Sequence, residues 1–289
     1  MIVLVTGVKG QLGYDVVKEL NNRNYTVVGV DIEDMDITDY SSVEGVLTKE
    51  KPDVVVHCAA WTAVDLAEDE ENREKVHLVN AVGTENIAKV CKMIDCKMIY
   101  ISTDYVFDGQ GTRPWEPDDE RNPLNVYGQT KYEGELAVER WLDKYFIVRI
   151  SWVFGINGKN FVKTMLNLGK THDILTVVDD QIGSPTYTYD LAKLLADMAE
   201  TDKYGRYHAT NEGICSWYDF ACEIFRQASK YDSAYKDIVV SPVDSSAYPA
   251  KAKRPSNSRM SKDKLTENGF AKLPTWQDAT ERYIKELER

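Results

Sequence analysis

In the first half of the chain apolar residues gather in short unbroken runs; in the second half they are spread out. Ile2-Val3-Leu4-Val5 is the first run, Tyr25-Thr26-Val27-Val28-Gly29-Val30 the second, and Asp53-Val54-Val55-Val56-His57 and Lys97-Met98-Ile99-Tyr100-Ile101 follow. Continuous β-branched runs mark strands buried on both faces of a parallel sheet, because covering helices leave no polar face. Helical patterns separate the runs: one to about Leu20, one ending near Met93, one beginning near Tyr127. A short strand is also expected to end at Asp36-Ile37. The alternation predicts an α/β fold, a Rossmann-like doubly wound parallel sheet over residues 1–150. After Ile150 glycine, proline and aromatic residues interrupt a less regular pattern. A smaller α/β substrate-binding lobe is expected over 151–289, with parts of about 176–205 returning to the first domain and an amphipathic helix from about Thr275 to Leu287.

Chemistry-bearing residues sit where the predicted strands end. The first strand runs into Thr6-Gly7-Val8-Lys9-Gly10-Gln11-Leu12-Gly13 and then a helix. Glycines there let a pyrophosphate approach backbone N–H groups at the positive end of the helix. The spacing is GxxGxxG, looser than the GxGxxG dinucleotide fingerprint. The second strand stops at Asp31, 18 residues after Gly13. A carboxylate there accepts hydrogen bonds from an adenosine ribose and repels a 2′-phosphate. No Arg or Lys directly follows Asp31, which favours NADH over NADPH. Asp36 and Ile37 are placed near the adenine. Small residues Ala59 and Ala60 let a dinucleotide lie close over the sheet edge, and Thr62 stands in the loop beyond.

The strand ending at Ile101 delivers Ser102-Thr103-Asp104-Tyr105 to the carboxyl edge of the sheet, where open α/β sheets bind ligands. Of the two hydroxyls, Thr103 is taken as the partner of a substrate oxygen. Asn125-Val126-Tyr127-Gly128-Gln129-Thr130-Lys131 then places Tyr127 and Lys131 four apart at a helix start, on one face. A phenol beside a fixed ammonium is expected to have a lowered pKa, suiting it to pass a proton to a carbonyl oxygen. Glu68-Asp69-Glu70-Glu71 reads as a solvated face, Asn80 as a surface amide or polar support for the site, and His57 and His77 as structural histidines.

A net charge of -12 argues against nucleic-acid or anionic-membrane partners. Five cysteines without CxxC spacing read as reduced core thiols, so a cytoplasmic protein is expected. Met1 leads into a strand with no basic flank, so no signal peptide is expected, and no apolar run approaches spanning length.

Gly7/Gly10/Gly13, Ser102-Thr103-Asp104-Tyr105-Val106-Phe107 and Tyr127-x-x-x-Lys131, in this order, resemble the extended short-chain dehydrogenase/reductase superfamily. Arg149-Ile150-Ser151-Trp152-Val153-Phe154-Gly155, Asn160-Phe161, Asp180-Gln181-Ile182-Gly183-Ser184-Pro185-Thr186 and Arg254-Pro255-Ser256-Asn257-Ser258-Arg259 are similar to later motifs of its dTDP-4-dehydrorhamnose reductase family, so the likeness covers essentially the whole chain. The resemblance implies reduction of the C4 ketone of dTDP-4-dehydro-6-deoxy-L-mannose to dTDP-L-rhamnose by NADH or NADPH. Thr103, Tyr127 and Lys131 would be catalytic. Gly7, Gly10, Gln11, Leu12, Gly13, Asp31, Asp36, Ile37, Ala59, Ala60, Thr62, Tyr127 and Lys131 would hold the cofactor. Thr103, Asp104, Tyr105, Tyr127, Trp152, Asn160, Gln181 and Arg254 would contact the dTDP-sugar, Trp152 by stacking on a sugar face. Members of the family also bind Mg²⁺, for which no carboxylate set is assigned here; a monomer or homodimer is expected. Two other readings share the motifs: an NAD-retaining nucleotide-sugar epimerase or dehydratase, and a non-catalytic regulatory subunit resembling the β subunit of methionine adenosyltransferase.

Overall fold

The computed structural model describes residues 1–288. Strands β1 (Ile2–Thr6), β2 (Thr26–Val30), β3 (Val54–His57), β4 (Lys97–Thr103) and β5 (Tyr145–Ile150) alternate with helices α1 (Gln11–Asn22), α2 (Tyr40–Glu50), α3 (Glu70–His77), α4 (Gly83–Met93) and α5 (Val126–Trp141). The chain then passes through β6 (Val153–Phe154), α6 (Phe161–Gly169), β7 (Ile174–Val178), β8 (Ile182–Gly183) and β9 (Thr186–Tyr187) before α7 (Thr188–Ala199) and β10 (Gly205–His208). It closes with β11 (Cys215–Ser216), α8 (Trp217–Ala228), β12 (Val239–Val243), α9 (Asp263–Glu267) and α10 (Trp276–Leu287).

Six strands form one parallel sheet in the order β10-β5-β4-β3-β1-β2. From β1 the chain steps one way to β2 and then returns to the other side of β1 for β3. That reversal opens a crevice at the carboxyl ends of β1 and β3. The strand runs are apolar on both sides because both sides are covered. Val3, Val5, Val54, Val56, Ile99 and Phe146 face Leu12, Val16 and Leu20 of α1 and Leu191 and Leu195 of α7. Leu4, Val55, Met98 and Ile147 face Leu47 of α2, Ile87 and Val90 of α4 and Val138 of α5. Each fully buried aliphatic side chain contributes about 1.5–3 kcal/mol. A third core, built from Phe154, Tyr187, Phe220 and Tyr283, sits under the smaller lobe.

Two expectations change. No strand forms at Asp36-Ile37. The N–H groups of Asp34 and Met35 both donate to the Asp31 carbonyl at 2.9 Å, and Asp36 accepts from the N–H and hydroxyl of Thr38 at 2.9 and 2.7 Å. These local bonds replace a ladder with a turn. Within the span about 176–205, the part that packs on the main sheet is α7, which leads into β10 of that sheet, while β7 pairs with β12 inside the lobe. His77 stands at the surface, its side chain 51% exposed and 3.2 Å from Glu133. The terminal helix begins where expected, its N-cap Thr275 accepting from the Asp278 N–H. No helix among the described residues is long and apolar enough to cross a membrane.

Candidate active site

The glycine turn is a cradle with no room for side chains. Gly7 has φ +68°, and a Cβ on it would lie 2.8 Å from the Ala59 backbone; one on Gly13 would lie 2.2 Å from the Gly7 carbonyl oxygen. Over this turn a cavity of about 350 Å³ reaches from Ala59 and Ala60 to Asp31, Asp36 and Ile37. A second cavity, of about 320 Å³, shares Gly7, Gly10, Cys58 and Ala60 with the first and continues past Gln11, Leu12, Gly13 and Thr62 to Thr103, Tyr127 and Lys131. A bare-backbone cradle at a helix N-terminus, continued by one trough in each direction, fits a dinucleotide.

At the ribose end the structure qualifies the sequence argument. The Asp31 carboxylate accepts the Lys9 N–H at 3.0 Å and the Ile32 N–H at 2.9 Å, so it also pins the glycine loop. A cation is present as well. Lys9, from the loop rather than from the residues after Asp31, lines the cavity and pairs with Glu33 at 2.7 Å.

Helix α5 starts where predicted because its first N–H groups are capped. Asn125 accepts the Gly128 N–H at 2.7 Å, and Glu68 accepts the Val126 N–H at 2.8 Å, a carboxylate at the positive helix end. Glu68 is therefore a capping group and not solely part of a solvated face, while neighbouring Asp69 pairs with Lys251 at 2.6 Å. A Cβ on Gly128 would lie 2.2 Å from the Tyr105 carbonyl oxygen, so α5 rests directly on the loop after β4. This contact sets Tyr127 on the wall of the same cavity as Thr103. The three expected catalytic residues line the same cavity.

Their electrostatics differ from the expectation that Lys131 lowers the Tyr127 pKa. Burial pushes the phenol upward, opposed by the neighbouring Thr103 hydroxyl and reinforced by Asp104 and Tyr105. Lys131 is itself pulled down to about 7 by burial, with the negative charge of Glu135 opposing. Its ammonium lies 4.1 Å from the centre of the Tyr100 ring and makes no ion pair among the described residues. Desolvation outweighs mutual attraction because each group lacks a full counter-charge.

Several residues support the site from behind, and Glu135 among them had no place in the reading of the sequence. Glu135, one turn beyond Lys131, accepts from Arg149 Nε and Nη2 at 2.8 Å each, from Arg121 at 3.0 Å and from Ser102 at 2.6 Å. Asn80 is buried, not a surface amide. It accepts the Trp61 N–H at 2.8 Å and donates to the Trp61 carbonyl at 3.1 Å and the Thr130 hydroxyl at 3.2 Å. It sits in a π-helical turn, Leu78–Val82, between α3 and α4. His57 is structural, hydrogen-bonded to Thr6 at 2.8 Å and Thr84 at 3.2 Å, and burial pulls it down to about 3.

A third cavity, of about 340 Å³, meets the second at Tyr105 and Trp152 and is lined further by Gln181 and Arg254. Trp152 is held at φ +50° and stacks on Trp217 with ring centres 3.8 Å apart. Trp217 lines the same cavity, and the sequence argument missed it. Arg254 donates to Asp65 at 2.6 Å and to the Tyr105 hydroxyl at 3.2 Å, so it combines a rim ion pair with a place in the cavity wall. Asp104 is buried beside Thr103. Asn160 departs from expectation. Its side chain caps α6 by accepting the Lys163 N–H at 3.0 Å, and the two protons of its amide nitrogen are shared among Gln11 Oε1 at 3.0 Å, the Gly155 carbonyl at 2.9 Å and the Tyr283 hydroxyl at 2.9 Å. An amide with these partners joins α1, α6 and α10 and has no donor left for a sugar. No group of three or more His, Cys, Asp or Glu among the described residues is arranged to hold a metal ion.

The family model described as RmlD substrate binding domain matches residues 1–289. The chain belongs to this family. It is 40% identical over 284 residues to a dTDP-4-dehydrorhamnose reductase of Aggregatibacter actinomycetemcomitans, covering 96% of each chain. Among solved structures it is similar to a dTDP-4-dehydrorhamnose reductase of Clostridium acetobutylicum, with TM-score 0.95, 42% identity and 100% coverage of both chains. It is also similar to the Bacillus anthracis dTDP-4-dehydrorhamnose reductase solved in complex with NADP, with TM-score 0.92, 41% identity and 99% coverage of both. The Rossmann-type fold and whole-chain likeness expected from the sequence are both found.

Proposed function

We propose that the protein reduces the C4 ketone of dTDP-4-dehydro-6-deoxy-L-mannose, giving dTDP-L-rhamnose. The observation that carries this reading is that the trough holding Thr103 and Tyr127 opens, at Tyr105 and Trp152, into the cavity lined by Gln181 and Arg254. A bound nicotinamide would supply the hydride. Tyr127 gives its phenolic proton to the oxygen at C4, and Thr103 orients that oxygen. Lys131, on the same cavity wall, would hold the nicotinamide ribose beside Tyr127. The Trp152 and Trp217 rings offer an apolar wall to the sugar, while the Gln181 amide and the Arg254 guanidinium serve the nucleotide diphosphate.

For the cofactor we propose a preference for NADH set by Asp31, with NADPH also accepted through Lys9. The ratio of kcat/KM for the two cofactors measures it, and Lys9→Ala should lower the NADPH value selectively. We take the protein to be cytoplasmic, and light scattering decides between monomer and homodimer. The deciding assay follows NADH oxidation with the 4-keto sugar nucleotide and identifies the product by NMR; stoichiometric NADH consumption separates a reductase from an epimerase. Tyr127→Phe should lose ~10²–10⁴-fold in turnover. Wild-type turnover in that variant, with cofactor binding unchanged, would refute the assignment of the proton donor.

A further inference from the structure

The reaction as described leaves one buried acid without a task. Asp104 is 2% exposed and carries two hydroxyl donors: Thr103 Oγ1 lies 3.0 Å from its Oδ1, and Ser258 Oγ lies 2.5 Å from its Oδ2. Thr103 is more heavily engaged than a substrate-orienting hydroxyl needs to be. Its oxygen also accepts the Tyr105 N–H at 3.3 Å, and it shares a cavity wall with the Tyr127 phenol. A threonine hydroxyl has one proton and two lone pairs, and a carboxylate can only accept. While Asp104 is ionised, the single Thr103 proton is committed to it. Thr103 then offers only lone pairs to Tyr127 and to any substrate oxygen. Once Asp104 carries a proton, its own O–H donates to Thr103, and the Thr103 proton turns toward the oxygens on which charge develops.

We propose that Asp104 is a positioning residue that sets the direction in which the Thr103 hydroxyl donates, so that ketone reduction runs fastest with Asp104 protonated. The proposal rests on the assignment of Thr103 and Tyr127 to a C4 ketone. No proton leaves Asp104 in the step. Hydride from a bound nicotinamide would form the new C–H bond at C4; as the C4 oxygen gains charge the Tyr127 Oη–H bond breaks and a new O–H bond forms at that oxygen, toward which Thr103 donates its single proton.

The surroundings suit an acid that changes state near neutrality. Tyr105 faces Asp104 from its own loop, Tyr127 from α5, and Ser258 from the C-terminal segment. Lys131 lies along the same cavity wall, and Arg254 and Asp65 act on Tyr105 beyond it. Burial pushes the carboxyl up to about 6, against the Ser258 and Thr103 hydroxyls and the backbone N–H groups. A merely structural carboxylate, clamping the Ser258 segment to the end of β4, would share the hydrogen bonds but would not link titration to turnover.

Two measurements on the full chain test this. In ¹³C-aspartate NMR of the protein alone, the resonance lost in Asp104→Asn should titrate near pH 6. In Ser258→Ala it should titrate at higher pH, because a donor to the carboxylate has gone. In the sugar-nucleotide assay, wild-type kcat/KM should fall as pH rises through the same midpoint, by up to about 10²-fold, the scale of one lost donor to a developing oxyanion. Asp104→Asn, whose amide donates at every pH, should lack that fall, and Ser258→Ala should show it displaced upward. A resonance that stays ionised through the range, or variant profiles superimposable on the wild type, would overturn the proposal. Failure of the folded wild type to consume the sugar at any pH would instead overturn the assigned reaction, and the NMR titration reads Asp104 independently of it.

Discussion

One turn of α5 separates Lys131 from Glu135; both are buried, yet the protein treats their charges in opposite ways. Glu135 has two arginines and a serine around it, and its carboxyl is held down to about 2 although burial alone would raise it. Lys131 has an aromatic ring and a distant carboxylate, and burial wins, drawing it down to about 7. Burial is common to both, so it does not explain the difference. The count of counter-charges and donors does. The saturated cluster fixes the helix against β5, whereas the under-saturated one keeps Lys131, Tyr127 and Asp104 in a state where small changes in surroundings move protons.

The largest test of that contrast is Arg149→Met. Removing one partner leaves Glu135 buried with only Arg121 and Ser102, so the variant should lose about 3–5 kcal/mol in urea unfolding. Adding Glu135→Leu should restore much of the loss, because an apolar pair needs no partner. An Arg149→Met protein as stable as the wild type would show that the cluster is not what anchors α5. The sign with pH follows: Glu135 has a lowered folded pKa, so its contribution is complete above the usual carboxylate range and disappears as pH falls toward about 2.

How much of this was legible in the chain depends on how far each partner lies along it. Four strands of the main sheet were readable because runs such as Val54-Val55-Val56 are apolar on both faces, whereas β5 and β10 were not read as strands; the gathering of Thr103, Tyr127 and Lys131 on one cavity was readable because Thr103 ends a strand and Tyr127 begins a helix. The turn at Asp31 to Thr38 was misread because side-chain oxygens of Asp31, Asp34 and Asp36 take backbone donors that a strand would use. Arg149 left a signal, a lone charge in the otherwise apolar run Tyr145–Ile150, and a charge buried on a central strand demands a partner. Trp217 left none, and Ser258 none beyond its place in the motif Arg254–Arg259. An aromatic residue opening an amphipathic helix looks like core, and Ser258 reaches Asp104 across 154 residues.

The opposite sign is expected at the other end of the contrast. Lys131→Met should stabilise the protein by about 1–4 kcal/mol while abolishing its support of Tyr127, since an unpaired buried charge is replaced by an apolar chain. The gain should be largest below pH 7. Between there and the usual lysine range the folded wild type already binds fewer protons than the unfolded chain, so its stability rises with pH and the difference narrows. Thermal melts of the two proteins across that interval measure it. A Lys131→Met variant less stable than wild type at low pH would mean that the ammonium has a partner compensating its burial.

The smallest effect should come from the residue that joins the cofactor wall to α5. Asn80 binds both backbone groups of Trp61 and donates to Thr130, whose hydroxyl in turn donates to the Tyr127 carbonyl at 3.0 Å. Its own carbonyl accepts the Thr84 hydroxyl at 2.7 Å, and Thr84 meets His57, which meets Thr6 beneath the glycine turn. Every member of this chain is neutral, so its loss involves unmet hydrogen bonds and no stranded charge. Asn80→Ala should therefore cost about 1–3 kcal/mol, less than Arg149→Met. Because the Trp61 loop carries Ala59, Ala60 and Thr62, the KM for the dinucleotide should rise more than kcat falls. A variant that lost kcat with an unchanged cofactor KM would place Asn80 with the proton-handling residues instead of with the scaffold.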